Sequence, residues 1–193
     1  MIIGICGGSG SGKTTLLKRI SNELKHLNPS IFSMDNYYLP IQKQHKDENN
    51  QYNFDLPTAL DRERLFSDLY KLSIGQSIEV KEYHFNSPPD KISLITIHPS
   101  NLIIVEGLFL FYYEEVKKLL DFTIFMEVDP TTRGYSREAI IYQWENHVLP
   151  CYKQFLLPFE HEADFRFHND SRADDEFERL MYELNLLIAK QKV

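Results

Sequence analysis

The chain has 193 residues, of which 42% are hydrophobic and 25% charged, enough to bury one sizeable core and unlike disordered or collagenous sequences. Its formal net charge of -7 argues against a surface built for nucleic acid or anionic lipid. The only cysteines are Cys6 and Cys151, with no CxxC, so a reducing cytoplasmic setting is expected, without disulfide framework or zinc knuckle.

The apolar residues Ile2, Ile3, Ile5 and Cys6 read as a first strand, too short for a signal segment. It runs into Gly7-x-x-x-x-Gly12-Lys13-Thr14, a complete phosphate-binding P-loop. Gly7, Gly8, Gly10 and Gly12 let backbone amides converge on phosphate oxygens, because a Cβ there would hold the loop away, and Ser9 and Ser11 complete the loop. Lys13 adds a point charge, Thr14 a hydroxyl for Mg²⁺, and Thr15 continues the loop into a helix. That helix carries Leu16, Leu17, Ile20, Leu24 and Leu27 at helical spacing, and its N-terminal dipole faces the anion.

Ile31 to Met34 form a second short strand after Pro29, ending at Asp35-Asn36-Tyr37-Tyr38. Residues 42–53 are polar and aperiodic, which predicts a mobile surface excursion leading to Asn53-Phe54-Asp55. A helix is expected over 57–72, with Leu60, Leu65, Leu69 and Leu72 on one face and Gly75 ending it. Alternating runs at 77–85 and 92–98, joined by Asn86-Ser87-Pro88-Pro89-Asp90, predict a hairpin able to cover a site.

Leu102 to Val105 is a fully apolar strand that ends in Glu106-Gly107, and residues 122–128 form another, with a helix expected over 112–120. Residues 131–148 look mainly helical, with Pro150 interrupting that helix, and 164–167 is the last expected strand. Phe177, Leu180, Met181, Leu184, Leu187 and Ile188 mark a closing amphipathic helix, begun by Asp174, Asp175 and Glu176. This alternation implies an α/β P-loop NTPase fold with a doubly wound, mainly parallel sheet whose carboxyl edge holds ligands. One domain over residues 1–193 is expected, with a β-hairpin flap at about 77–98 and a short lid at about 131–143.

Among P-loop proteins, neither an Asn-Lys-x-Asp guanine reader nor an ABC-type signature is present. A strand ending in Asp35 beside the loop suits a kinase acting on a small hydroxyl acceptor, although the same Asp would serve as an N-cap or turn residue. The segments GICGGSGSGKTT, SMDNYY, NFDLPTALD, EVKEYHF, LIIVEGLFLFY and IFMEVD follow one another in an order that resembles the uridine kinase (uridine/cytidine kinase) family. The resemblance implies a nucleoside kinase that uses ATP and Mg²⁺ to phosphorylate a ribose 5′-hydroxyl.

Carried onto this sequence, Asp35 is implied as general base, with Lys13 on the phosphates, and Asp55 as the carboxylate that grips the ribose diol. Glu106 would orient Mg²⁺ with Thr14; Tyr83 and Phe85 would hold the base; Gln143 would lie near the nucleoside. Structural roles compete with each: Asp55 as a turn residue, the aromatics as core, Gln143 as an exposed helix residue. Arg133 and Arg137 are the lid residues placed to meet ATP phosphates, with surface ion pairing as the competing role.

The sequence departs from the family at two places. Pro88 stands where the family carries a histidine that bonds the pyrimidine edge, and proline has no side-chain donor or acceptor. The lid is shorter by about a dozen residues, roughly three helical turns. Uridine or cytidine is thus the first expectation for acceptor; nicotinamide riboside, pantothenate or a sugar phosphate are the alternatives. A nucleotide-binding sensor with little turnover is the rival class. No nucleic-acid or membrane partner is expected, and a homo-oligomer is compatible with the sequence.

Overall fold

The computed structural model describes residues 1–83, 93–127 and 138–191. Phe85, Arg133 and Arg137 therefore lie outside the described residues, as do the hairpin tip and most of the expected lid.

Five strands form one parallel sheet: β1 (Ile2–Gly7), β2 (Ser30–Ser33), β7 (Ile103–Gly107), β8 (Phe122–Glu127) and β9 (Phe165–His168), ordered β2-β7-β1-β8-β9. Two antiparallel pairs lie apart from it, β3 (His45–Lys46) with β4 (Tyr52–Asn53), and β5 (Ile78–Lys81) with β6 (Leu94–Ile97). The central strands are apolar at successive positions because helices cover both faces. Side chains alternate between the two faces, so Ile3, Ile5, Ile104, Ile124 and Met126 enter one core while Ile2, Cys6, Ile103, Val105 and Phe125 enter the other.

Helices α1 (Lys13–Glu23) and α6 (Ala173–Gln191) cover the first face through Leu16, Leu17 and Ile20 and through Phe177, Leu180 and Leu184. Helix α2 (Arg62–Ser73) covers the second with Leu65, Leu69 and Leu72, joined by Phe109, Phe111 and Val116. This doubly wound arrangement matches the expectation from the alternating pattern. The aspartate, Asp61, sets the start of α2 by accepting the Arg64 N–H at 3.1 Å, so Pro57–Ala59 is a separate 3-10 turn and the expected 57–72 helix is shorter. The helix expected over 112–120 contracts to α3 (Glu114–Lys117).

Three further differences are local. Strand β2 stops at Ser33, whose hydroxyl accepts the Asp35 N–H and starts a 3-10 turn, Met34–Tyr37. The polar excursion is not aperiodic: it closes into the β3/β4 hairpin, with Asp47 accepting the N–H groups of Asn49 and Gln51. Pro150 does not interrupt its helix. Helix α4 (Glu138–Gln143) passes through a π turn (Trp144–Val148), α5 (Leu149–Cys151) and a second π turn (Tyr152–Leu156). Proline lacks the donor and crowds the carbonyl four residues back, and the wider π spacing accommodates both effects.

Candidate active site

The ligand edge of the sheet is where β1, β2 and β7 end. Between β1 and α1 the P-loop turns on Gly12, at φ 99°, where a Cβ would meet the Asn169 side-chain nitrogen at 2.4 Å. That amide donates to the Ser11 carbonyl at 2.9 Å, so the loop after β9 braces the cradle. No side chain caps α1, leaving its first N–H groups for a ligand. Lys13 is only 7% exposed, and its ammonium donates to the Gly8 carbonyl at 3.0 Å. Such a buried cation has two further donors to satisfy, which suits anionic oxygens.

Glu106, 4% exposed, is paired in register with Ser33 on one side and Ile5 on the other. Its Oε1 accepts from Ser33 Oγ at 2.9 Å and lies 3.5 Å from Thr14 Oγ1. Gly107 follows it because a Cβ there would lie 2.4 Å from the Met34 Cβ. Among the described residues no group of three or more His, Cys, Asp or Glu could hold a metal ion. Two hard oxygens, Glu106 and Thr14, instead fit an Mg²⁺ that keeps its waters and takes its other ligands from phosphate.

Asp35 sits across from this pair. Burial, then repulsion from Glu106, pushes its carboxyl up to about 6, with Lys13 opposing and Asp55 adding to the rise. Asp55 is half-buried, and its carboxyl too is raised above the ordinary range, with His147 and Lys13 pulling the other way. The Asp55 N–H donates to Asn53 Oδ1 at 2.9 Å, fixing its place after the β3/β4 hairpin. Sequence-distant carboxylates thus share one electrostatic environment with the P-loop lysine.

An aromatic wall stands beside them. The Tyr38 ring lies 5.1 Å from Tyr83 and 6.0 Å from Phe54, and burial with Asp35 and Asp55 nearby holds its hydroxyl well above the ordinary range. Tyr83, 37% exposed, follows the end of β5 and donates its N–H to Asn36 Oδ1 at 2.9 Å. Sequence reasoning missed Tyr38 and Phe54, although both adjoin chosen carboxylates in the Asp35-Asn36-Tyr37-Tyr38 and Asn53-Phe54-Asp55 runs.

Gln143 is not a free surface amide: its Oε1 lies 2.5 Å from Nδ1 of His147, which is 1% exposed. Sequence reasoning sets His147 aside as a metal partner of Cys151 and gives it no other role; its spacing of four from Gln143 on a helix is the signal for the role it has here. Past Gln143, a cavity of about 150 Å³ lies between Gly8 and Ser9 and the side chains of Trp144, Val148 and Tyr152. A larger cavity, about 750 Å³, is at the opposite edge of the sheet by Met1, Leu27 and Asp121, away from these groups. Both cysteines are buried and free; burial pushes the Cys6 thiol up to about 11.

A model of the phosphoribulokinase / uridine kinase family matches residues 2–174. Uridine kinase of Borrelia duttonii is 35% identical over 185 residues, covering 88% of this chain and 88% of the relative. Uridine-cytidine kinase B of Dictyostelium discoideum is 31% identical over 175 residues, covering 84% and 72%. The chain spans 35% and 38% of two longer curated relatives. A solved structure described as a possible uridine kinase from Bacillus stearothermophilus superposes with TM-score 0.69 at 22% identity, covering 86% of this chain and 88% of the other.

Proposed function

The chain belongs to the phosphoribulokinase / uridine kinase family of small-molecule kinases, and we propose that it transfers the γ-phosphoryl group of ATP to the 5′-hydroxyl of a nucleoside, uridine or cytidine first. The observation that carries this reading is the placement of the half-buried Asp35 and Asp55 in one electrostatic environment with the buried Lys13, beside aromatic rings.

In this reading Lys13 and the amides of Gly7 to Thr15 hold the phosphates, and Thr14 and Glu106 would hold Mg²⁺, which when bound would neutralise charge on the phosphates. Asp35 orients the 5′-hydroxyl and takes its proton as the oxygen bonds to the γ-phosphorus and the bond to the β,γ-bridging oxygen breaks, releasing ADP. Asp55 accepts from the 2′ and 3′ hydroxyls, two acceptor oxygens against a vicinal diol. Tyr38, Phe54 and Tyr83 offer ring faces to the base; Phe85 would hold the base as well, and Gln143 would meet the nucleoside. Residues 1–193 act as one unit, the hairpin at 77–98 serving as flap and 131–143 as lid, with Arg133 and Arg137 on the phosphates.

No helix among the described residues is long and apolar enough to cross a membrane. Coupled ADP release over a panel of uridine, cytidine, nicotinamide riboside, pantothenate and sugar phosphates tests the proposal. Release dependent on uridine or cytidine is expected. Turnover with another panel member alone moves the assignment to that acceptor; tight MgATP binding with no acceptor-dependent ADP makes the chain a nucleotide-binding sensor.

A further inference from the structure

We infer that His147 is a positioning residue for the phosphoryl acceptor, tying Gln143 through Asp47 to the hairpin that leads into Asp55. The inference rests on the reading that the acceptor lies between Asp55 and Gln143. The imidazole is buried, yet both of its nitrogens are engaged: Nε2 lies 2.8 Å from Asp47 Oδ2 and Nδ1 lies 2.5 Å from Gln143 Oε1.

Asp47 fixes the ring. Its carboxylate already accepts from the Tyr142 hydroxyl at 2.6 Å and from the N–H groups of Asn49 and Gln51 at 2.9 and 2.8 Å. An ionised carboxylate only accepts, so Nε2 carries the proton that faces it. Gln143 presents its Oε1, also an acceptor, so Nδ1 carries a proton as well and donates to it; the amide plane is thereby set, and its NH₂ end remains for a ligand. On the far side, Asp47 belongs to the turn between β3 and β4, β4 ends at Asn53, and Asn53 Oδ1 accepts the Asp55 N–H. The Asn49 side chain also donates to the Tyr142 hydroxyl at 2.7 Å.

A leucine of similar size would fill the same space without the desolvation that a buried imidazole incurs. What leucine lacks is the ability to hold two polar partners in fixed directions. The helix that bears His147 lines the cavity beside Gly8 and Ser9 with its neighbours Trp144 and Val148. One helix therefore borders the donor loop and brings the charge of His147 close enough to Asp55 to favour the ionised carboxylate.

The test compares KM for the nucleoside, KM for MgATP, kcat and Tm in the wild type, His147→Leu and His147→Gln. The leucine variant should raise the acceptor KM about tenfold while the MgATP KM stays within about twofold, as for loss of one hydrogen-bonded positioning contact. His147→Gln, able to donate to Asp47 and pair with Gln143, should recover most of that loss. An unchanged acceptor KM in a folded leucine variant, parallel rises in both KM values, or a glutamine variant no better than leucine overturns the inference. If the leucine variant does not fold, Asp47→Ala takes its place: a selective rise in acceptor KM is expected, and no rise overturns the inference. A wild type that releases no ADP with any acceptor defeats the functional reading before any variant is compared, and this inference with it.

Discussion

The two halves of the candidate site are built differently. The donor half is largely backbone: glycines at Gly10 and Gly12 with positive φ, an uncapped helix start, and one lysine, all within fifteen consecutive residues. The acceptor half is side chains from segments far apart in sequence, Asp35 and Tyr38 after β2, Phe54 and Asp55 after β4, Tyr83 after β5, and Gln143 with His147 on the distant helix. Backbone cradles recognise what all nucleoside triphosphates share. Converging side chains decide what receives the phosphate, so the two halves should respond separately to substitution.

The largest separation is expected at Asp35. Asp35→Ala should lower kcat by about 10²–10⁴, the usual worth of a positioned base, while MgATP binding measured by titration calorimetry persists. Loss of MgATP binding in that variant would place Asp35 with the donor half and break the division. The conservative Asp35→Asn carries a second, opposite expectation. The folded state raises this carboxyl from 3.8 to about 6, so between those values the native chain binds more protons than the unfolded one and stability falls as pH rises. Well above pH 6 the ionised group is held at a cost on the order of 3 kcal/mol, and removing its charge should raise Tm at pH 7 by several degrees. An unchanged or lower Tm would contradict a half-buried, repelled carboxylate.

Next in size is Asp55→Asn, which removes the charge but keeps the shape. The acceptor KM should rise about 10- to 100-fold, the range for hydrogen bonds to a charged group, with the MgATP KM little changed. Equal rises in both would merge the two halves.

The same raised carboxyl predicts a pH limb. Asp35 works as a base only when ionised, so kcat/KM measured with both substrates below saturation should fall through about pH 6, reaching about tenfold lower at pH 5. The limb should vanish from the residual rate of Asp35→Asn. A flat profile from pH 5 to 8 in the wild type would remove Asp35 from the role of base.

The contrast between halves also explains what the sequence could reveal. The P-loop was legible because strand, glycines, Lys13 and helix are contiguous, and period-two and helical spacing are local properties; all five strands of the main sheet fall within a residue or two of the expected runs. Asp35 stands out at a strand end and, with Asp55, by the family resemblance, yet the electrostatic environment both share with Lys13 is a long-range fact. Tyr38 was hidden because nothing local says that its ring meets Tyr83, and His147 because its partner Asp47 lies in what read as a formless polar excursion. Pro150 misled for a different reason: the rule that proline ends a helix omits the π spacing that lets this one continue.

The smallest effect concerns a donor-side contact that no motif marks. Asn169 follows β9, and its amide reaches the Ser11 carbonyl at 2.9 Å while its nitrogen occupies the space a Cβ on Gly12 would enter. It restrains the loop without needing to touch a phosphate, so Asn169→Ala should loosen the cradle by about one net hydrogen bond. The MgATP KM should then rise roughly fivefold, with acceptor KM and kcat nearly constant, because a looser loop binds the nucleotide less well while Asp35 and Asp55 keep their places. The alanine also empties space next to Gly12, so Asn169→Ala combined with Gly12→Ala separates crowding from conformation. If crowding alone excludes a side chain at position 12, the double variant should regain MgATP binding; with φ at 99° the backbone itself resists alanine, and the double variant should stay as weak as Gly12→Ala alone. Recovery would show that Asn169, more than the left-handed turn, is what keeps that position glycine.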